Sequence, residues 1–240
     1  MRVCIDAGHG GSASGAVNGK VMEKDKTLLI AQEVKKAFLA LGIDVTMTRE
    51  TDKYLTIDQR CQIEKASEAV CCISLHMDAA GPAASGMTAW LHSKAPASYK
   101  VWARNVLAGL KQVGYTSNRA QEVNLGYRGD TTKNYGWNAG TKSPSMLLEL
   151  GFITNDKNLA EFDRNYKAYA KAIARATCEW LGVDEPEADE ADTLRAEIAS
   201  LKEQLAAEQN AREAAQTALA DIQAGIRKLA EKYEGMRVRD

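Results

Sequence analysis

Two uninterrupted apolar runs limit the possible folds of this chain more than any other feature. They are "VCCISLHM" (70–77) and "SMLLELGF" (145–152), and each has the length of a single strand. Strands that are apolar on both faces are typical of a parallel sheet with helices packed on either side. The two runs therefore indicate a sheet buried between helical layers.

Further strand and helix patterns alternate along the first 182 residues. Strand patterns lie at 2–6, 43–49 and 86–93, and helix patterns lie at 26–42, 56–69, 98–114 and 165–182. Alternation of this kind is typical of α/β domains. We therefore expect residues 1–182 to form an α/β domain with a mostly parallel central sheet flanked by helices.

The pattern changes after this domain. An acidic stretch, "VDEPEADEAD", predicts a linker over 183–193, and a heptad repeat follows over 194–234. Through six heptads the a and d positions are apolar except for Glu208 and Arg212, which predicts a helical coiled coil. The helix could join copies of the chain into a dimer, trimer or tetramer, or fold back near Asn210 as a hairpin within one chain.

Charge and hydropathy exclude several classes of protein. Residues 1–183 hold 23 basic and 18 acidic residues, a balance of +5 that is too weak to indicate nucleic-acid binding. No apolar stretch is long enough to predict membrane insertion, and the first residues lack the apolar core of a signal peptide. Five cysteines in mostly apolar surroundings predict buried, reduced thiols. We therefore expect synthesis in the cytoplasm.

Two of the three histidines follow or end predicted strands. His9 comes just after the first strand, in "CIDAGHGG", and His76 ends "VCCISLH". Parallel strands end at a common edge of the sheet, where α/β proteins place their sites, so the two imidazoles can converge. A catalytic zinc site needs a third ligand, commonly a carboxylate. Glu23, expected in a loop, and Glu149 are the candidates.

Glu149 is unusual because apolar residues surround it in "SMLLELGF". A buried glutamate needs a partner. Two interpretations remain open from the residues alone: an ion pair with an arginine, or a general base beside a metal, with its pKa raised by desolvation.

Five motifs occur in an order that is similar to one enzyme family. They are "DAGHGG", "EKD" from Glu23, "TRETDKYLTIDQR" (48–60), "ISLHMDA" (73–79) and "SPSMLLELGFITN" (143–155). Together they resemble the zinc-dependent N-acetylmuramoyl-L-alanine amidases over residues 2–182. Two departures are Ala7, where the family usually has Pro, and Asp78, where it usually has Asn.

The resemblance implies roles for four residues. It implies that His9, Glu23 and His76 bind one Zn²⁺ per chain and that Glu149 is the catalytic glutamate. The implied substrate is peptidoglycan, cleaved at the amide between N-acetylmuramic acid and L-alanine. We expect a wall-lysing enzyme similar to phage endolysins, released through a holin. Another zinc amidohydrolase that cleaves stem peptides, or an inactive wall-binding coiled-coil protein, are the alternatives.

Residues outside these motifs give weaker indications. The long loop at 124–143 is rich in glycine and aromatic residues, which is typical of functional loops. We expect Tyr127, Arg128 and Trp137 to line a substrate groove, with plain loop packing as the alternative. His92 is expected to be structural, and Arg60 to form a structural ion pair.

Overall fold

The computed structural model describes residues 1–183 and isolated helical positions between 200 and 226. Within residues 1–183 the strands are β1 (Arg2–Ala7), β2 (Val17–Asn18), β3 (Val21–Met22), β4 (Asp44–Met47), β5 (Cys71–Asp78), β6 (Thr88–Leu91), β7 (Val123–Leu125) and β8 (Ser145–Phe152). The helices are α1 (Glu23–Ala40), α2 (Ile57–Ser67), α3 (Ala97–Gln112), α4 (Gly136–Gly140) and α5 (Asp156–Trp180).

Six of these strands form a mixed, mostly parallel sheet in the order β4-β1-β5-β8-β6-β7. Strands β4, β1, β5 and β8 run parallel, β6 runs antiparallel to β8, and β7 runs parallel to β6. The α/β fold with helices around the sheet agrees with the prediction. The two apolar runs form β5 and β8, which are adjacent in the middle of the sheet.

The two faces of the sheet are covered unequally. Alternate strand residues such as Ile5, Ile73 and Leu148 join the large core that includes residues of α1, α3 and α5. The opposite face carries a smaller cluster, formed by Cys4, Cys61, Ala69, Cys72 and Trp137, beneath α2 and α4. This second face leads to the polar residues at the carboxyl ends of β1, β5 and β8.

Several element boundaries differ from the prediction. Helix α1 begins at Glu23, so this residue opens a helix and does not lie in the expected loop. Helix α5 begins at Asp156, well before the predicted start, because the Asn155 side chain accepts a hydrogen bond from the Asn158 amide at 3.0 Å and caps the helix. Short elements β2, β3, β7 and α4 were not predicted, since a few residues carry no periodicity.

The five cysteines are buried, as predicted, and none of them is in a disulfide. Among the described residues no helix has the length and hydropathy to cross a membrane. Contacts divide the chain into two units, Met1–Pro186 and Glu187–Asp240. The coiled coil predicted over 194–234 lies outside the described residues, apart from the isolated helical positions.

Candidate metal centre

The carboxyl ends of three parallel strands carry the candidate site. His76 on β5 and Glu149 on β8 are direct register partners. Gly8, just after β1, lies beside His76 because its amide donates to the Leu75 carbonyl at 3.1 Å. The first strand therefore delivers His9 to the same edge, where the His9 and His76 ring centroids are 4.9 Å apart. The structure brings the two histidines together, as predicted from their positions at the ends of strands.

His9 has a left-handed backbone with φ of 61°. Few residues other than glycine adopt this conformation, and they keep it where the surroundings impose it. Two buried arginines impose this conformation on the turn at His9. Arg49 donates to the carbonyls of Ala7 and Gly8, each at 2.8 Å, and Arg60 donates to those of Ala7 and His9. The strained turn aims the His9 ring toward Glu23.

Glu23 connects the two histidines from the first position of α1. Its Oε1 lies 2.9 Å from Nδ1 of His76, and its Oε2 lies 3.1 Å from Nε2 of His9. The backbone amides of Met77 and Ala16 donate to the same two oxygens at 3.0 and 2.8 Å. Burial opposes ionisation, but the hydrogen bonds of His76 and His9 hold the pKa of Glu23 well below its usual range.

The same contacts act on His76. Burial disfavours its charged form, yet the hydrogen bond to Glu23 and the nearby charge of Glu149 raise the pKa of His76 above its ordinary value. The protonation of Glu23 and that of His76 therefore depend on each other, and the Glu23 carboxylate stays ionised between the two imidazoles.

The donor atoms fit a metal ion. One ligand atom from each of His9, Glu23 and His76 can be chosen so that all lie within 4.8 Å of one another. Two imidazole nitrogens and one carboxylate oxygen are a known catalytic zinc set, with a further coordination position left for water or substrate. The three residues implied by the family resemblance are the three that the structure brings together.

Glu149 lies beside this centre with only 9% of its surface exposed. Burial raises the pKa of Glu149 to about 8, and the charges of Glu23 and Asp78 add to the effect. Its Oε2 is buried and has no hydrogen-bond partner. Among the described residues, Glu149 forms no ion pair with an arginine, and Arg119 pairs with Asp78 instead. A carboxyl group with a pKa near neutrality is suited to accept and return a proton.

A cavity of about 320 Å³ opens beside the histidines. It is lined by His9, His76, Arg60, Tyr135 and Trp137, among other residues. The pKa of Tyr135 rises to about 12, first through burial and then through the charge of Glu149. Tyr135 is therefore part of the wall of the centre, which the sequence did not indicate.

The three residues expected in a substrate groove occupy different environments. Tyr127 is 39% exposed, its ring centroid lies 4.8 Å from that of Tyr135 with the two rings tilted by 58°, and the Arg128 guanidinium lies 5.6 Å from its ring centroid. Trp137, by contrast, is 2% exposed and belongs to the small core under the sheet. Trp137 also lines the cavity beside the histidines, so its expected role in substrate binding stays a prediction.

Two other residues weighed from the sequence have structural contacts. His92 follows β6 and its Nδ1 accepts a hydrogen bond from the Lys94 amide at 3.0 Å, as expected for a turn residue. Asp78, one of the two departures from the family pattern, pairs with Arg119, whose guanidinium lies 4.6 Å from the Phe152 ring centroid.

Known proteins match this chain over the same region. A family model described as Amidase_3, N-acetylmuramoyl-L-alanine amidase, matches residues 3–179. The probable cell wall amidase LytH of Staphylococcus aureus is 34% identical over 158 residues, which make up 64% of this chain and 48% of LytH. The chain spans about half the length of the curated relatives it matches.

Solved structures show the same architecture. The catalytic domain of CwlV, an N-acetylmuramoyl-L-alanine amidase from Bacillus (Paenibacillus) polymyxa var. colistinus, superposes with a TM-score of 0.66 at 28% identity, covering 76% of this chain and 99% of that one. The CwlD amidase from Clostridioides difficile, solved with the GerS lipoprotein, gives a TM-score of 0.67 at 26% identity and the same coverages. With a family model matched over most of residues 1–183, this chain belongs to the N-acetylmuramoyl-L-alanine amidase family.

Proposed function

We propose that this protein is a zinc-dependent peptidoglycan hydrolase that cleaves the amide between N-acetylmuramic acid and L-alanine. The observation that carries the proposal is the cluster of His9, Glu23 and His76 next to the buried Glu149. Family membership supports the choice of bond, and the donor set supports zinc.

The residues present divide the chemistry between them. A zinc ion held by His9, Glu23 and His76 would supply Lewis acidity, which polarises a carbonyl and lowers the pKa of water from about 16 to about 7. Glu149 would take the proton of the attacking water and return it to the leaving amine of L-alanine. Its raised pKa suits both steps, because the carboxylate must accept the proton and then release it.

Substrate contacts are proposed for the exposed part of the 124–143 loop. Tyr127 offers an exposed ring that packs against Tyr135 at the wall of the centre, and Arg128 offers a cation over that ring. An amphipathic aromatic surface next to a charged group fits a polymer of sugars and short acidic peptides.

We propose lysis of the wall after release from the cell, as in phage endolysins, with synthesis in the cytoplasm supported by five buried cysteines that are not in disulfides. We also propose that residues 194–234 join copies of the chain, which the heptad repeat supports.

Mass spectrometry of digested, purified cell walls tests the bond assignment. We expect stem peptides with a free L-alanine amino group and glycan strands with free lactyl groups. The protein should contain about one zinc per chain and lose activity in a chelator. The Glu149→Gln variant should keep the zinc and lose at least about a hundredfold in rate, since a general base is removed.

Other outcomes of this digestion identify the alternatives. New amino termini inside the stem peptide would assign a peptidase in place of an amidase. Intact walls that nevertheless retain the protein would assign a wall-binding role. Full activity without bound metal would refute the zinc mechanism.

A further inference from the structure

Thr88 lies directly opposite Glu149 in the sheet. The two residues are register partners of the antiparallel pair β6–β8. Since β8 lies between β5 and β6, Glu149 has His76 on one side and Thr88 on the other. Side chains of directly opposed residues in an antiparallel pair share a face, with their Cβ atoms about 5 Å apart. The threonine hydroxyl is therefore within reach of the carboxyl group.

Both side chains leave a polar atom unpaired. Thr88 is fully buried, and its Oγ1 has no hydrogen-bond partner. The Oε2 atom of Glu149 is in the same state. The two oxygens are not hydrogen-bonded to each other in the structure, since neither has a partner. Buried polar atoms in proteins are nearly always paired, so a rotation about a side-chain torsion of Thr88 or Glu149 that joins the two oxygens would satisfy both.

We infer that Thr88 is a positioning residue for Glu149: after a rotation of one of the two side chains, its hydroxyl donates a hydrogen bond to Oε2. With Oε2 held on the β6 side, the other carboxylate oxygen is left for proton transfer on the side of His76. The inference rests on the proposed function, in which Glu149 handles the proton. The sequence did not indicate Thr88, because its partner lies 61 positions further along the chain.

Substitutions at Thr88 can separate the hydroxyl from the size of the side chain. Thr88→Val keeps the branched shape and removes the hydroxyl, while Thr88→Ser keeps the hydroxyl. Thr141→Val is the matched control, because Thr141 also has a buried, unpaired Oγ1 but precedes β8 at its opposite end. All variants are full-length proteins, and they are loaded with zinc for the kinetic comparison.

Hydrolysis of a soluble muramyl peptide gives the first readout. For Thr88→Val we expect kcat to fall at least about tenfold, with KM and zinc content unchanged, because the lost contact acts on proton transfer and not on binding. Thr88→Ser should stay within about threefold of the parent protein, and so should Thr141→Val. Equal losses in the Val and Ser variants, or no loss in either, would overturn the inference.

Carbon-13 NMR of the metal-free protein gives a second readout that does not depend on turnover. With glutamate labelled at the side-chain carboxyl carbon, the Glu149 resonance is assigned by its absence in Glu149→Gln. We expect Thr88→Val to shift this resonance and Thr141→Val to leave it in place. An unmoved resonance would refute the contact. A parent protein that cleaves no muramyl peptide would refute the proposed function, and the NMR comparison would still decide the role of Thr88.

Discussion

Gly8 and Gly15 keep open the space that the donor side chains occupy. A Cβ atom on Gly8 would lie 2.7 Å from Nδ1 and 2.5 Å from Nε2 of His76, so the ring could not stay in place. A Cβ on Gly15 would lie 2.5 Å from Oε2 of Glu23 and 2.7 Å from Cδ2 of His9. The glycines of this edge are therefore required by close approach to the ligands as well as by turn geometry.

The substitution Gly8→Ala should weaken metal binding more than it weakens the fold. The new methyl group displaces the His76 ring, while the backbone at Gly8 does not need a positive φ. We expect zinc affinity, measured by competition with a chromogenic chelator, to fall at least about tenfold, which corresponds to about 1.4 kcal/mol.

Gly81→Ala is the matched control for this change. A Cβ at Gly81 meets no atom within 4 Å, so zinc affinity and melting temperature should stay at the parent values. Unchanged zinc affinity in Gly8→Ala would mean that His76 does not need its present ring position to bind the metal.

At the scale of single residues, the sequence indicated the candidate ligands but not the residues that surround them in the fold. His9, Glu23, His76 and Glu149 stand in motifs that can be read along the chain. Gly8 and Thr88 gain their meaning only from the register between strands that are distant in sequence. No local pattern encodes that register.

At the scale of elements, helix α2 is joined to the end of β1 through Arg60. Its Nη1 donates to Oδ1 of Asp6 and to the carbonyl of Ala7, each at 2.7 Å, and Nη2 donates to the carbonyl of His9. Arg60 and Asp6 are both 3% exposed or less, so the ion pair is buried. Asp6 also accepts from Ser74 on β5 at 2.5 Å. One guanidinium thus holds a helix, a strand and the turn that carries His9.

Arg60→Gln should lower both stability and metal affinity. Removing one partner of a buried ion pair leaves the Asp6 charge uncompensated, which costs about 3–5 kcal/mol of unfolding free energy. The His9 carbonyl also loses its donor, so the strained turn relaxes and zinc affinity falls. Chemical denaturation and chelator competition measure the two effects separately.

Lys65→Gln is the control for Arg60, because Lys65 is exposed on the same helix. It should change stability by less than about 0.5 kcal/mol and leave zinc binding unchanged. If Arg60→Gln lost stability and kept full zinc affinity, Arg60 would hold α2 to the sheet without positioning His9.

Elements were predicted well where periodicity is long and poorly where it is short or interrupted. The runs that form β5 and β8 show their burial directly in the sequence. The early start of α5 was missed because "NDKNLAEFDR" is polar, although its Asn158 and Phe162 are buried. The antiparallel direction of β6 could not be predicted either, since strand direction depends on the connection and not on composition.

At the scale of the whole molecule, two features concern assembly. Residues 1–186 form one unit with its own core, which indicates that this part folds without the rest of the chain. Among the described positions beyond it, Leu205, Leu219, Ile222 and Ile226 each expose more than half of their surface. All four occupy seam positions of the heptad repeat, where apolar side chains are buried by a partner helix in a coiled coil.

Truncation after Pro186 should therefore change the oligomeric state and leave the chemistry intact. By light scattering we expect the full-length protein at a multiple of its 26.1 kDa chain mass and the truncated protein at the mass of one chain. Turnover of a soluble muramyl peptide per chain should be equal in both, because the metal centre lies within residues 1–183.

In the full-length protein, Leu219→Glu should dissociate the oligomer, while Gln223→Glu, outside the seam, should not. A full-length monomer would favour the hairpin near Asn210, in which one chain buries its own seam.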